Sequence, residues 1–209
     1  MRGLIKKDIF TMKKSILLVT IMTVAILIFA IQEDGYFMVP MLFIVIPFIF
    51  VSISYGYDAN SKFEEFIFST PIKKSDYVLS KLFFPFIYGI VGAIATFLML
   101  KYSNKFQINI ILFSCAITII LCMLLSTVNL SFLLKYGEEK ARVVLVIFYF
   151  CIFGLSSFVS HNEAFQEKLI QLINSQSINT LIILIIAIGI ILLAISIFSS
   201  IKILKNKEY

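Results

Sequence analysis

Six long apolar runs without a single charged side chain constrain this chain more than any other feature of its sequence. Each holds 17 to 27 residues, and none contains Asp, Glu, Lys, Arg or His. About 20 apolar residues in a helix cross the roughly 30 Å hydrocarbon core of a bilayer, where only helices or closed barrels satisfy their backbone hydrogen bonds. Barrel strands are shorter and alternate in polarity. The sequence therefore predicts an all-α membrane protein with six transmembrane helices, at about 15–31, 36–57, 82–100, 108–134, 143–160 and 178–201.

The composition disfavours the soluble classes of protein. Of the 209 residues, 60% are hydrophobic and 14% are charged, whereas about 25% are charged in an average globular protein. A soluble domain of this length still exposes about 30% of the surface of its chain, and few polar side chains are present here to cover it. We therefore do not expect a soluble enzyme, a nucleic-acid-binding protein or a disordered chain.

Lysine and arginine are concentrated on one side of the predicted membrane. Fifteen of the 18 lie before the first run, after the last run, or in the connections 58–81 and 135–142. The positive-inside rule places these segments, and hence both termini, in the cytoplasm. Because no connection exceeds about 24 residues, we expect residues 1–209 to form a single transmembrane domain.

The basic segment 2–14 precedes the first predicted span and has the pattern of an interfacial helix. Its apolar residues share one arc, and its basic residues lie opposite, which is typical of a helix lying on anionic lipid. Asp8 falls within the apolar arc and interrupts it. Two interpretations remain open: Asp8 pairs with a nearby lysine, or it contacts a cytoplasmic partner. The candidate residues of this segment are Leu4, Ile5, Asp8, Ile9 and Met12.

The connection 58–81 contains a short predicted helix that carries aromatic and acidic side chains. Its apolar residues recur at helical spacing, Ser61 is available as an N-cap, and Pro71 ends the segment. Three phenylalanines within six positions need a surface against which they can be buried. We therefore predict a docking site for a cytoplasmic partner over Ser61, Lys62, Phe63, Glu64, Glu65, Phe66, Ile67 and Phe68.

A second amphipathic segment, 161–177, lies on the predicted outer side between the last two spans. One face of this segment is apolar and the other is polar, as in an amphipathic helix. It either caps the bundle or gates a substrate path, and both interpretations stay open. The candidate gate residues are Phe165, Leu169, Leu172 and Ile173.

The sequence lacks the groups that most chemistry in a membrane requires. His161 is the only histidine, and neither a catalytic pair nor a cluster of metal ligands is apparent.

The spans contain none of the ionisable residues that mark most ion-coupled carriers, although some sodium sites use only hydroxyls and carbonyls. No G-x-x-x-x-G-K-[ST] motif for ATP binding is present. If the chain moves a substrate uphill, we therefore expect the energy to come from another polypeptide.

Small and polar residues in the spans predict helix contacts rather than ligand sites. Gly89 and Ala93 form a small-xxx-small pair, which allows two helices to approach closely. The fourth span has a polar patch around Asn129 and Ser131, and such groups usually link helices. The three cysteines lie in apolar runs without metal-ligand spacing, so we interpret them as packing residues.

Three segments carry a resemblance to a known family. They are Arg2–Asp8 (RGLIKKD), Phe68–Lys81 (FSTPIKKSDYVLSK) and Tyr136–Arg142 (YGEEKAR). Together they resemble the membrane permeases of ATP-binding-cassette exporters of the second type, and the likeness covers nearly the whole chain. Among these permeases the sequence looks like the subunits of the staphylococcal phenol-soluble modulin exporter. It differs from larger relatives in having no large outer domain.

The resemblance implies a dimer of permeases, identical or different, in a bacterial cell membrane. Two cytoplasmic ATPase subunits would bind ATP and magnesium, and this chain itself would hold no cofactor. The helix at 61–68 would be the coupling helix, seated in a groove of the ATPase. Residues 2–14 would form the elbow helix, and 161–177 the outer re-entrant pair.

The expected function is export of amphipathic or antimicrobial-type peptides, or of related lipophiles, by a permease that is not itself an enzyme. We further hypothesise that Glu64 and Glu65 pair with basic residues of the ATPase. Two alternatives remain. One is a bacteriocin-immunity or membrane-scaffold protein without transport, and the other is an ion-coupled carrier.

Overall fold

The computed structural model describes residues 1–32, 36, 38–103, 108–161 and 178–207. Within them the chain is helical and contains no strand, which confirms the all-α prediction. The helices are α1 (Arg2–Gln32), α2 (Met38–Asn60), α3 (Phe63–Phe68), α4 (Lys74–Tyr102), α5 (Ile108–His161) and α6 (Ile178–Lys205).

Five helical stretches among the described residues are long and apolar enough to cross a membrane. They are Arg2–Gln32, Val39–Asn60, Lys74–Tyr102, Ile110–Ala141 and Ile183–Lys205. Helix α5 is broken at Gly137, which has a positive φ of 79°, a conformation that glycine adopts without a steric penalty. Beyond this break the helix continues to His161. The predicted fifth span, 143–160, falls in this continuation, and the count of six spans stays a prediction.

The N-terminal segment differs from the expectation of a separate interfacial helix. Residues 2–14 and the first predicted span form one uninterrupted helix of 31 residues, about 46 Å long at 1.5 Å per residue. Neither glycine nor proline separates the two parts, so nothing in the sequence ends the helix there. The apolar arc of this segment, which was predicted to face lipid, instead turns largely toward the protein. Leu4, Asp8 and Met12 are buried, while Ile9 is 42% exposed.

Helix α5 packs against α2, α4 and α6, and α1 lies against α2 and α4. The predicted contact at Gly89 and Ala93 is confirmed, because both residues face α5. A Cβ atom on Gly89 would lie 3.4 Å from the Cys122 sulfur, and the Cys115 sulfur lies 3.3 Å from the Ala93 carbonyl oxygen. Cys115 and Cys122 are therefore packing residues, as predicted, whereas the side chain of Cys151 lies outside the described part of the structure.

The polar patch of α5 also links helices as predicted. The Asn129 side-chain amide donates to the Phe48 carbonyl at 3.1 Å and to the Ser52 hydroxyl at 2.8 Å, both on α2. The hydroxyls of Ser131 and Ser200 are 2.6 Å apart and join α5 to α6. These short polar side chains therefore serve contacts between helices.

One end of the bundle gathers α3, the start of α1, the end of α6 and the Gly137 break. We call it the α3 end. Its apolar core contains residues of all six helices, with α5 contributing the part around the Gly137 break, and we call this cluster the α3-end core. Its buried members are Leu4, Val51, Tyr55, Ile67, Tyr77, Val78, Leu82, Leu130, Leu133, Leu134, Ala141 and Leu204.

Candidate functional site

Helix α3 is a short helix held in a turn between α2 and α4. It begins after Lys62, which adopts a left-handed conformation with φ 51°, and ends at Phe68, three residues before Pro71. The predicted N-cap role of Ser61 is wrong. Its backbone N–H bonds to the Tyr57 carbonyl at 3.2 Å, and its hydroxyl donates to the same oxygen at 2.8 Å. Ser61 therefore completes the last turn of α2 instead of capping α3.

The aromatic residues of α3 point in different directions. Phe63 and Phe68 pack on the α3-end core together with the buried Ile67. The Lys7 ammonium nitrogen lies 4.0 Å from the centre of the Phe63 ring, a distance at which a cation is attracted to the ring face. Phe66, in contrast, is 65% exposed. Of the three phenylalanines predicted to dock on a partner, only Phe66 is presented outward.

The two glutamates of α3 also occupy different environments. Glu64 is buried, accepts a hydrogen bond from the Lys207 ammonium at 2.6 Å, and lies 3.5 Å from the Tyr77 hydroxyl. Glu65 is exposed. Glu64 therefore fastens α3 to α4 and to the segment after α6, whereas Glu65 faces the surroundings together with Lys62 and Phe66.

A group of four buried or half-buried charges lies beneath α3, and we call it the ionic cluster. The Lys81 ammonium lies 2.5 Å from an Asp58 oxygen and 3.1 Å from an Asp8 oxygen. Lys7 pairs with Asp8 at 2.9 Å and also with Asp58. Two lysines and two aspartates thus balance each other and connect α1, α2 and α4.

Further polar contacts extend the ionic cluster to α3 and α6. The Tyr77 hydroxyl donates to Asp58 at 2.9 Å. The Lys74 ammonium donates to the Leu204 carbonyl at 2.8 Å, and a cation at this position stabilises the C-terminus of a helix. The α3 end therefore joins five helices through charged and polar side chains.

The ionic cluster was not predicted, although the positions of two of its residues in the sequence indicate it. Asp58 directly follows the second predicted span, and Lys81 directly precedes the third. Charges at the same membrane depth on neighbouring helices can pair. For Asp8, the interpretation as a partner of a nearby lysine is supported by both of its ion pairs.

A cavity of about 380 Å³ opens beside α3. We call it the α3 cavity. Its walls come from the end of α2, from α3 and from the segment after α6, and they combine three carboxylates, two lysines and one phenol. The lining residues are Tyr55, Asp58, Ala59, Lys62, Glu64, Glu65 and Lys207.

The candidate gate at Phe165, Leu169, Leu172 and Ile173 lies outside the described residues. In the part of the chain that the structure describes, no group of three or more His, Cys, Asp or Glu side chains could hold a metal ion.

Comparison with known proteins identifies a family for this chain. A family model described as "ABC-2 family transporter protein" matches residues 3–205. No curated protein and no solved structure matches the chain.

Proposed function

The chain belongs to the ABC-2 family of transporter proteins, and from this premise we propose that α3 is the surface through which an ATPase subunit drives it. Membership makes the chain a multi-pass permease subunit, with ATP hydrolysis in a partner chain. The family also implies a second permease subunit as a rule. We propose that the α3 end lies in the cytoplasm with both termini, in line with its share of the basic residues, and that the bundle has six spans.

The observation that carries this proposal is the exposed Phe66 on a helix whose opposite side is fixed. Ile67, Phe68 and Glu64 hold α3 against the bundle, so the position of Phe66 is defined before any partner arrives. An aromatic side chain presented on a rigid element is the usual anchor of a protein interface. On this basis α3 is the coupling helix, and Phe66 enters a groove of the ATPase.

The ionic cluster would transmit a displacement of α3 to the membrane-spanning helices. When ATP draws two ATPase subunits together, each would displace the α3 that it holds. Because ion pairs tie α4 to α1 and α2, and tie α3 to the segment after α6, the end of the bundle would move as one body. ATP can shift the equilibrium between two states only if the ATPase contacts α3 differently in them.

The proposed substrate is an amphipathic peptide or a related lipophile, exported across a bacterial cell membrane. The uncharged, phenylalanine-rich spans suit such a molecule, and the resemblance to exporters of phenol-soluble modulins favours it. The start of α1, with Leu4 and Met12 against the bundle, takes the place of an elbow helix. The segment 161–177 remains a candidate gate.

Co-purification with a co-expressed P-loop ATPase tests the docking surface. We expect Phe66→Ala to weaken binding of the ATPase at least tenfold, since truncation of a central aromatic anchor costs about 2 kcal/mol or more. Phe10→Ala is the matched control, because Phe10 is 72% exposed on α1 and lies outside the proposed surface. Equal binding by the two variants would contradict docking at Phe66.

The same preparation separates transport from the immunity or scaffold alternative. A permease reconstituted with its ATPase should move peptide only when ATP is supplied, even after the membrane gradient has been collapsed. A chain that exerts its cellular effect after deletion of the ATPase gene is instead an immunity or scaffold protein. Transport that needs the gradient but no ATP would indicate a carrier.

A further inference from the structure

The α3 cavity is lined by a tyrosine whose hydroxyl has no hydrogen-bond partner in the described part of the chain. Tyr55 is only 4% exposed and packs in the α3-end core, yet it also lines the cavity. Its hydroxyl makes no hydrogen bond within the described residues. Because Tyr55 lines the cavity, its hydroxyl is accessible from it, and a group that enters the cavity can hydrogen-bond to this oxygen.

The charges around the cavity indicate which kind of group fits. Asp58 is already bound by Lys7 and Lys81, and Glu64 by Lys207. Glu65 is exposed and has no ion pair among the residues described. The cavity thus offers two acceptors without partners, the phenol of Tyr55 in its wall and the carboxylate of Glu65 at its rim. Lys62, at the same rim, is exposed and can direct its ammonium group to water.

A guanidinium group matches two separate acceptors better than an ammonium group does. It carries five N–H donors in a planar fork, whereas a lysine presents one point charge. The cavity volume of about 380 Å³ is that of roughly thirteen water molecules in the liquid at about 30 Å³ each, so a long side chain has room to enter. Glu65 directly precedes Phe66, so a protein that covers Phe66 also reaches the rim.

We propose that the α3 cavity receives an arginine side chain of the ATPase subunit, which donates hydrogen bonds to Glu65 and Tyr55. This inference rests on the proposed docking at α3 and adds the chemistry of the contact. Phe66 supplies the apolar anchor of the interface. The cavity supplies the carboxylate and the hydroxyl that the arginine side chain recognises.

The test measures the dissociation constant between the purified permease and the co-expressed P-loop ATPase subunit. Glu65→Gln and Tyr55→Phe should each raise it about tenfold, since a hydrogen bond to a charged group contributes about 1.5–3 kcal/mol. Tyr57→Phe and Glu139→Gln are matched controls: both residues are exposed and lie outside the cavity. These controls should leave the dissociation constant unchanged.

Arginine-specific labelling identifies the occupant directly. In the assembled complex, one ATPase arginine should resist modification by phenylglyoxal, and peptide mass spectrometry locates it. The same arginine should become labelled in a complex carrying both Tyr55→Phe and Glu65→Gln, held together at high protein concentration. Protection that survives this double substitution overturns the proposal.

The outcome also distinguishes this inference from the docking proposal. If Phe66→Ala weakens binding while Glu65→Gln and Tyr55→Phe do not, the arginine contact is wrong and docking at α3 stands. If none of the three changes affects the dissociation constant, docking at α3 fails as well.

Discussion

The α3 end and the membrane interior of this protein are held together by different forces. At the α3 end, buried lysines and aspartates connect helices through ion pairs between 2.5 and 3.1 Å long. In the interior the contacts are close approaches at Gly89 and Gly92 and a few hydrogen bonds such as that of Asn129. The α3 end therefore adds balanced ion pairs to its apolar core, whereas the interior relies on close packing of helices.

Physical chemistry explains this division. A charge at the centre of a bilayer costs about 2.5 kcal/mol or more, so ion pairs are confined to the ends of helices. Helix contacts inside lipid gain little from the hydrophobic effect and rely on packing and weak hydrogen bonds. The ion pairs connect the helices firmly at the α3 end, whereas the contacts in the membrane interior are individually weak. This arrangement suits a bundle whose helices are moved from the α3 end.

The largest effect is expected at Lys81, at the centre of the ionic cluster. Lys81→Met leaves Asp8 and Asp58 with Lys7 alone, and removing one partner of a buried ion pair costs about 3–5 kcal/mol. We expect a loss of that size in the free energy of unfolding, measured by reversible denaturation in mixed micelles.

Two further variants show whether charge balance is the cause. Lys101→Met is the matched control, since Lys101 is exposed near the other end of α4, and it should change stability by less than about 0.5 kcal/mol. Asp8→Asn combined with Lys81→Met leaves Lys7 paired with Asp58, so it should be more stable than Lys81→Met alone. A double variant that is less stable than the single one would refute charge balance as the cause.

An intermediate effect is expected at Gly92, where α4 approaches α2. A Cβ atom there would lie 2.5 Å from the Phe43 Cβ atom, and overpacking of this kind costs about 1–3 kcal/mol. Gly92→Ala should therefore lower the free energy of unfolding despite the better helix propensity of alanine. Gly3→Ala is the control, because a Cβ atom at Gly3 meets nothing within 4 Å. Equal stability of the two variants would show that Phe43 moves aside at no cost.

The membrane interior could be predicted from the sequence because its determinants are local. Uncharged runs of about 20 residues identify spans, and Gly89 with Ala93 marks a close contact on one helix face. The ionic cluster could not be predicted, because Asp8, Asp58 and Lys81 come from three distant segments and meet only in the folded bundle. For α3, the helical spacing predicted the helix itself. Which of its side chains are exposed, as Phe66 is, or buried, as Glu64 is, depends on packing against α4 and the segment around the end of α6, and this packing could not be predicted.

The smallest effect is expected at Asn129, whose side chain joins α5 to α2 inside the membrane. Asn129→Leu removes the hydrogen bonds to the Phe48 carbonyl and the Ser52 hydroxyl. Polar contacts of this kind in membranes contribute about 0.6–2 kcal/mol, and leucine regains part of that by packing. The free energy of unfolding should therefore fall by about 1 kcal/mol or less, well below the effect of Lys81→Met. Ser114→Ala is the control, since among the described residues the Ser114 hydroxyl bonds to the Ile110 carbonyl of its own helix. A loss at Asn129 as large as that at Lys81 would mean that polar contacts hold the interior as firmly as ion pairs hold the α3 end, and the contrast between the two regions would disappear.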